Sequence, residues 1–194
     1  MTFEVRIHGR GGQGVVTAAE LLSLAAFVEG RHAQAFPSFG SERTGAPVVA
    51  FCRISRQPIR THEPVAHPDA LIVQDPTLLH QVDVFSGLDA DGYMLINTAR
   101  SFDDLGLAEF ASRFRHDRLL TVPASEIALR RLGRPLPGPA LLGGFAAISG
   151  VVSLASVNDA IRERFSGAVA EGNAAAAGEA HDLVRAEVEA LAHA

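Results

Sequence analysis

The sequence predicts an α/β fold, a Rossmann-like three-layer sandwich with a mostly parallel sheet, and three observations carry that expectation. Phe3, Val5 and Ile7 alternate with Glu4 and Arg6, the period of a half-buried strand. Residues 15–28 are apolar and helix-compatible directly after it, and short apolar runs then alternate with helical stretches over most of the chain. Between the first strand and the first helix lies Gly9-Arg10-Gly11-Gly12-Gln13-Gly14, a glycine turn of the G-x-G-x-x-G pattern. A strand-to-helix turn of this kind can hold an anion on helix N-terminal amides, or simply let strand and helix pack closely.

The first helix, Val15–Val28, has only a thin polar stripe of Thr17, Glu20 and Ser23. A helix apolar almost all round is buried on most of its surface. One sheet covers one face, so another helix or a partner chain is expected on the rest. Glu29-Gly30 ends this helix, with Gly at a natural C′ position. A short strand over 32–36 halts at Pro37, and a loop runs to Pro47 with Phe39, Glu42 and Arg43 inside a Gly/Pro frame. Further strands are expected over 48–54, 70–74, 93–97 and 119–122. Residues 57–68, with three prolines and two histidines, read as an extended connection, and 77–80 as a helical turn after Asp75-Pro76.

Ser125 is placed as the cap of a helix ending at Gly133, and the Pro-rich stretch 134–139 as a loop. The apolar stretch 141–152, with Gly143, Gly144 and Gly150, reads as a helix whose small residues let another backbone approach. Ser156-Val157-Asn158-Asp159 resembles a capping box, and Gly172-Asn173 is expected to open the last helix. No internal repeat is visible, and the whole of 1–194 is expected to form one domain.

Composition narrows the function. Of 194 residues, 47% are hydrophobic and 20% charged, ordinary for a globular chain. A net charge of −5, with basic residues dispersed, argues against a nucleic-acid surface. No apolar run approaches the roughly 20 residues of a membrane span, and no signal-peptide arrangement opens the chain, so a soluble cytoplasmic protein is expected. The single cysteine, Cys52, lies in an apolar run and reads as a core residue; a cysteine-ligated iron–sulfur cluster within this chain is excluded by count.

A dinucleotide site needs a carboxylate at the end of the second strand, but Ala35-Phe36-Pro37 stands there and Glu29 closes the preceding helix. No lysine follows the glycines, so a P-loop fails. His62 and His67, in a Pro-rich stretch, lack paired metal-ligand spacing. Glu42-Arg43 admits two readings: an internal ion pair, or a docking loop that offers Arg to a carboxylate or phosphate.

The glycine turn, the segment Pro37-Ser38-Phe39-Gly40-Ser41-Glu42-Arg43-Thr44-Gly45-Ala46-Pro47 and the following Phe51-Cys52-Arg53-Ile54-Ser55 together resemble the gamma subunit of thiamine-diphosphate-dependent 2-oxoacid:ferredoxin (or other acceptor) oxidoreductases, such as the pyruvate:ferredoxin enzymes. Leu142-Gly143-Gly144 and Gly172-Asn173 extend the similarity over nearly the whole chain. The resemblance implies a non-autonomous subunit with alpha, beta and delta partners. Those partners would hold thiamine diphosphate, magnesium and [4Fe-4S] clusters, with CoA as co-substrate and ferredoxin or another acceptor taking the electrons. It also implies a cofactor- or CoA-region role, or an alpha-subunit interface, for Gly9, Gly11, Gly12, Gln13, Gly14, Glu42 and Arg43, and no catalytic or metal-ligating residue in this chain. The chain has no Gly-Asp-Gly segment followed by Asn, the usual diphosphate–magnesium motif. Thr44 stands where relatives often carry a second arginine, and Ser41 where they often carry proline. Pyruvate is the commonest substrate of the class; indolepyruvate, branched-chain and aryl-2-oxoacid (phenylglyoxylate-type) enzymes share the domain. Stand-alone nucleotide binding and homo-oligomerisation through the apolar helix are the competing readings.

Overall fold

Six strands form one sheet in the order β2-β3-β1-β4-β5-β6, where β1 is Thr2–Arg10, β2 His32–Pro37, β3 Pro47–Ser55, β4 Ala70–Val73, β5 Tyr93–Asn97 and β6 Leu119–Val122. The computed structural model describes residues 1–38 and 44–193. The pairings β1–β4, β4–β5 and β5–β6 are parallel; β1–β3 and β2–β3 are antiparallel. The fold is therefore a mixed α/β sandwich, largely parallel but partly antiparallel, consistent with a Rossmann-like topology. The antiparallel part has a simple cause. A parallel crossover needs about a dozen or more residues, usually with a helix. The connection 38–46 between β2 and β3 is shorter than that, so β3 returns beside β2 and slots between it and β1.

One face of the sheet carries the long helices. These are α1 (Val15–Val28), α3 (Ala124–Leu132), α4 (Gly138–Ser149), α5 (Leu154–Arg164) and α6 (Gly167–Ala192). Val5, Ile7, Cys52, Ile72, Leu95 and Leu120 point into them, forming the larger core with Leu22, Phe145 and Ile161. The opposite face of β4–β6 is covered by the 3-10 turn Pro76–His80, the one-turn helix α2 (Ala108–Ala111) and their flanking segments, through Leu71, Met94 and Ile96 against Leu78, Val84 and Leu105.

Over β1 and β3 that second face is polar. Arg6 donates to the carbonyls of Val65 (3.3 Å) and Val84 (2.9 Å), and Arg53 to that of Glu63 (2.6 Å). These bonds seat the extended connection 57–68. The carbonyls of the buried Val65 and Val84, outside any ladder, are thereby satisfied. His62 and His67 are exposed there, and Gln34 Nε2 lies 2.6 Å from His62 Nδ1.

α1 packs on the sheet and against α5, which bury Ala18, Ala19, Leu22, Ala25 and Ala26. A helix of the same chain thus supplies the cover expected for its apolar surface, leaving Phe27 and Val28 exposed at its end. α4 and α6 approach closely at Gly143, where a Cβ would lie 2.0 Å from the Ala177 carbonyl oxygen. The small residues of 141–152 do serve a backbone contact.

Several boundaries differ from the sequence expectation. Pro37 is the last residue of β2 rather than its stop. Ser125 is not an N-cap: α3 starts at Ala124 after Pro123, and Asn97 binds both the Ser125 amide (3.0 Å) and hydroxyl (2.8 Å). α4 begins at Gly138 inside the anticipated loop, because Pro139 falls in the first turn where no amide hydrogen is needed. The cap of α5 is Ser153, whose hydroxyl accepts from the Ser156 amide (3.1 Å), three residues before the expected box. α6 runs unbroken through Gly172-Asn173 from Gly167; packing overrides the break, since a Cβ at Gly172 would meet the Arg131 carbonyl at 3.0 Å.

Candidate functional site

β1 is central, and the chain leaves it toward β2 on one side while β4 lies on the other. In open α/β sheets this divergence leaves a crevice at the carboxyl ends of the strands. The glycine turn occupies it. Gly9 has no room for a side chain: a Cβ would lie 2.5 Å from Val15 Cγ2 and 3.2 Å from Gln74 Cβ. Gly14, at φ +73°, is the left-handed N-cap of α1, and Gly12 has φ +93°; L-residues with side chains disfavour both. Gly9 is thus required by packing and Gly14 by backbone conformation.

The turn spends much of its polar capacity internally. Gln13 donates its amide to the Arg10 carbonyl (3.0 Å), while its side-chain oxygen accepts from the Arg10 amide (2.8 Å). Gly11 donates to the Ala46 carbonyl (2.9 Å) and accepts from the Gly45 amide (3.0 Å), and Gly11 also bridges to Thr44. The stem 44–46 of the long loop is therefore stitched to the glycine turn.

Arg10, the first unspecified position of the pattern, fixes this junction. It reaches the Gly45 carbonyl (3.0 Å), Thr77 Oγ1 (2.7 Å), Gln81 Oε1 (2.7 Å) and, as an ion pair, Asp75 (3.2 Å). Asp75 also accepts from Gln13 Nε2 (2.8 Å) and caps the 3-10 turn through Thr77. Burial pushes the Asp75 carboxyl up, but hydrogen bonds from Thr77 and Gln13 and the Arg10 charge outweigh it and hold it below the ordinary value. Asp75 stays ionised and anchors the cation.

Gly9, Gly11, Gly12, Gln13 and Gly14 are thus brought together, whereas Glu42 and Arg43 lie outside the described residues. Sequence reasoning missed Asp75, Thr77 and Gln81. The available signal was Asp75-Pro76 at the end of a buried strand, the position where open sheets carry function. The dinucleotide reading loses its geometry as well as its carboxylate, because β3 separates β2 from β1.

Among the described residues, none offers a ligand set for a cluster or a metal. Cys52 is buried in β3 and burial pushes its thiol upward, which disfavours a ligating thiolate. Among the described residues, no three His, Cys, Asp or Glu side chains gather as a metal site. No described helix is long and apolar enough to cross a membrane.

Comparison with known proteins agrees with this architecture. Residues 4–183 match the family described as pyruvate ferredoxin/flavodoxin oxidoreductase. The chain is 48% identical to the pyruvate/ketoisovalerate oxidoreductases common subunit gamma of Pyrococcus abyssi, over 92% of this chain and 95% of that one. It is 46% identical to pyruvate synthase subunit PorC of Methanothermobacter marburgensis, over 94% and 97%. The crystal structure of a pyruvate oxidoreductase subunit PORC from Thermotoga maritima superposes with a TM-score of 0.78 at 34% identity, covering 93% of this chain and 96% of the other. The chain belongs to the pyruvate ferredoxin/flavodoxin oxidoreductase family, among its gamma subunits.

Proposed function

We propose that the chain serves CoA-dependent oxidative decarboxylation of a 2-oxoacid, pyruvate first, as an assembly and cofactor-region subunit whose glycine turn and Glu42-Arg43 loop face the alpha subunit. The observation that carries this reading is the junction itself. The turn at the sheet crevice is joined to stem 44–46 of that loop, and Arg10 locks the stem to β4's end. The committed amides of Arg10, Gly11 and Gln13 suit holding a loop for a partner. Thiamine diphosphate, magnesium and the clusters belong to alpha, beta and delta partners in this reading, and ferredoxin or another acceptor receives the electrons. The names of the relatives, which include both pyruvate and ketoisovalerate enzymes, support pyruvate with a branched-chain 2-oxoacid as alternative.

The test is Arg43→Ala in the assembled oxidoreductase. Turnover or subunit recovery should fall at least tenfold while the isolated variant melts like the wild type. Unchanged kinetics together with unchanged assembly would remove the loop from the interface.

A further inference from the structure

On the far side of the glycine turn lies a second feature, a cavity of about 190 Å³ between α1, α4, α5 and α6 that is open to solvent on one side. That volume is below the roughly 300 Å³ at which drug-sized sites begin, so the walled part of the cavity suits a small ligand. Both α1, at Gly14, and α4, at Gly138, begin on its wall, and neither has a side-chain cap or an acid in its first turn. Among the described residues, the amides of Val15, Val16 and Thr17 in α1 and of Gly138 and Ala140 in α4 have no partner, and they stand at the positive ends of two dipoles. Arg164 stands on the wall with no ion pair to a described residue, and no Asp or Glu contributes to the lining.

Helix ends alone would say little, but two buried carboxamides sit with them. Asn173 lines the cavity, is only 5% exposed and makes no side-chain hydrogen bond to a described residue. Gln74 is 1% exposed with both side-chain polar atoms unpartnered among the described residues, and a Cβ at the wall residue Gly138 would lie 3.5 Å from its Nε2. Gln74 lies just behind the wall and Asn173 stands on it with its carboxamide unpaired among the described residues, so a polar ligand group in the cavity would find a hydrogen-bonding partner at Asn173. The rest of the wall, Leu21 and Phe165 included, is mainly apolar.

We infer that this cavity binds a small organic monocarboxylate. Its carboxylate would lie against the amides of α1 and α4 with Arg164 and Asn173, and its apolar body against Leu21 and Phe165. The inference concerns this chain alone and does not rest on the proposed docking to an alpha subunit.

The test is melting of the full-length chain with benzoate, isovalerate and phenylacetate, beside the neutral phenylacetamide, inorganic phosphate and CoA. A ligand bound only by the native state raises the melting temperature with concentration. At least one monocarboxylate should do so, and phenylacetamide should not. Asn173→Leu should weaken that carboxylate at least tenfold. Arg164→Gln, on the exposed rim, should weaken it at least threefold with the unliganded melting temperature unchanged, which keeps the test decisive if Asn173→Leu folds poorly. No stabilisation by any monocarboxylate, equal stabilisation by phenylacetamide, or stabilisation by phosphate or CoA only would overturn the inference.

Discussion

His8 lies on β1 beside Arg6, and the two form a buried pair in which Arg6 Nε donates to His8 Nε2 at 3.0 Å. The imidazole must accept there, so it is neutral in the fold. Burial, reinforced by the Arg6 charge, pulls its pKa from 6.5 down to about 3. The folded value is depressed, so protons favour the unfolded chain; the pair's stability is complete above pH 6.5 and is lost as pH falls toward 3. The slope contributed by one such group is at most about 1.4 kcal/mol per pH unit. His8→Gln keeps an acceptor without titrating, and the decline of its melting temperature between pH 6.5 and 4 should be visibly shallower than the wild type's. At the junction, Asp75→Asn leaves Arg10 without its ion pair. Hydrogen exchange at the Gly11 and Gly45 amides, which hold the loop stem, should then quicken about tenfold, equivalent to about 1.4 kcal/mol of local stability. Amides of β4 and β5 should be unaffected.

Among the elements, contact between α4 and α6 is set by a missing side chain. Gly143→Ala drives a methyl into the Ala177 carbonyl, a backbone atom that cannot swing aside, and should destabilise by about 1–3 kcal/mol or more in denaturant titration. Gly178→Ala is the control: the same helix offers nothing within 4 Å there, so the better helix former should stabilise by about 0.5–1 kcal/mol. These elements also show how far the sequence could be read. Strong periodicity and punctuation located β1, α1, β5 and β6, and the glycine turn declared itself by its spacing. What local signals could not reveal was decided by distant partners. Asn97 takes over Ser125, α3 packs so near Gly172 that a break becomes part of a 26-residue helix, and Arg10 gains its ion pair only when β4 brings Asp75 beside it. The antiparallel β2–β3 pair was legible in the shortness of 38–46, but the alternating strand and helix pattern drew attention to parallel pairing.

Taken whole, the molecule separates its tasks between the two faces and one end of a sheet. The helical face supplies most of the core, the turn-covered face supplies a second core and a buried polar patch, and the carboxyl end carries the glycine turn with its loop stem. In the reading proposed above, that end meets a partner subunit and the chemistry is carried out in other chains. The claim is tested most directly by purifying the tagged native protein from its source and identifying what comes with it. The account predicts alpha- and beta-like partners in a brown, iron-containing complex that reduces an acceptor when given a 2-oxoacid and CoA. Recovery of the chain alone, colourless and stable, from cells that contain the activity would contradict it.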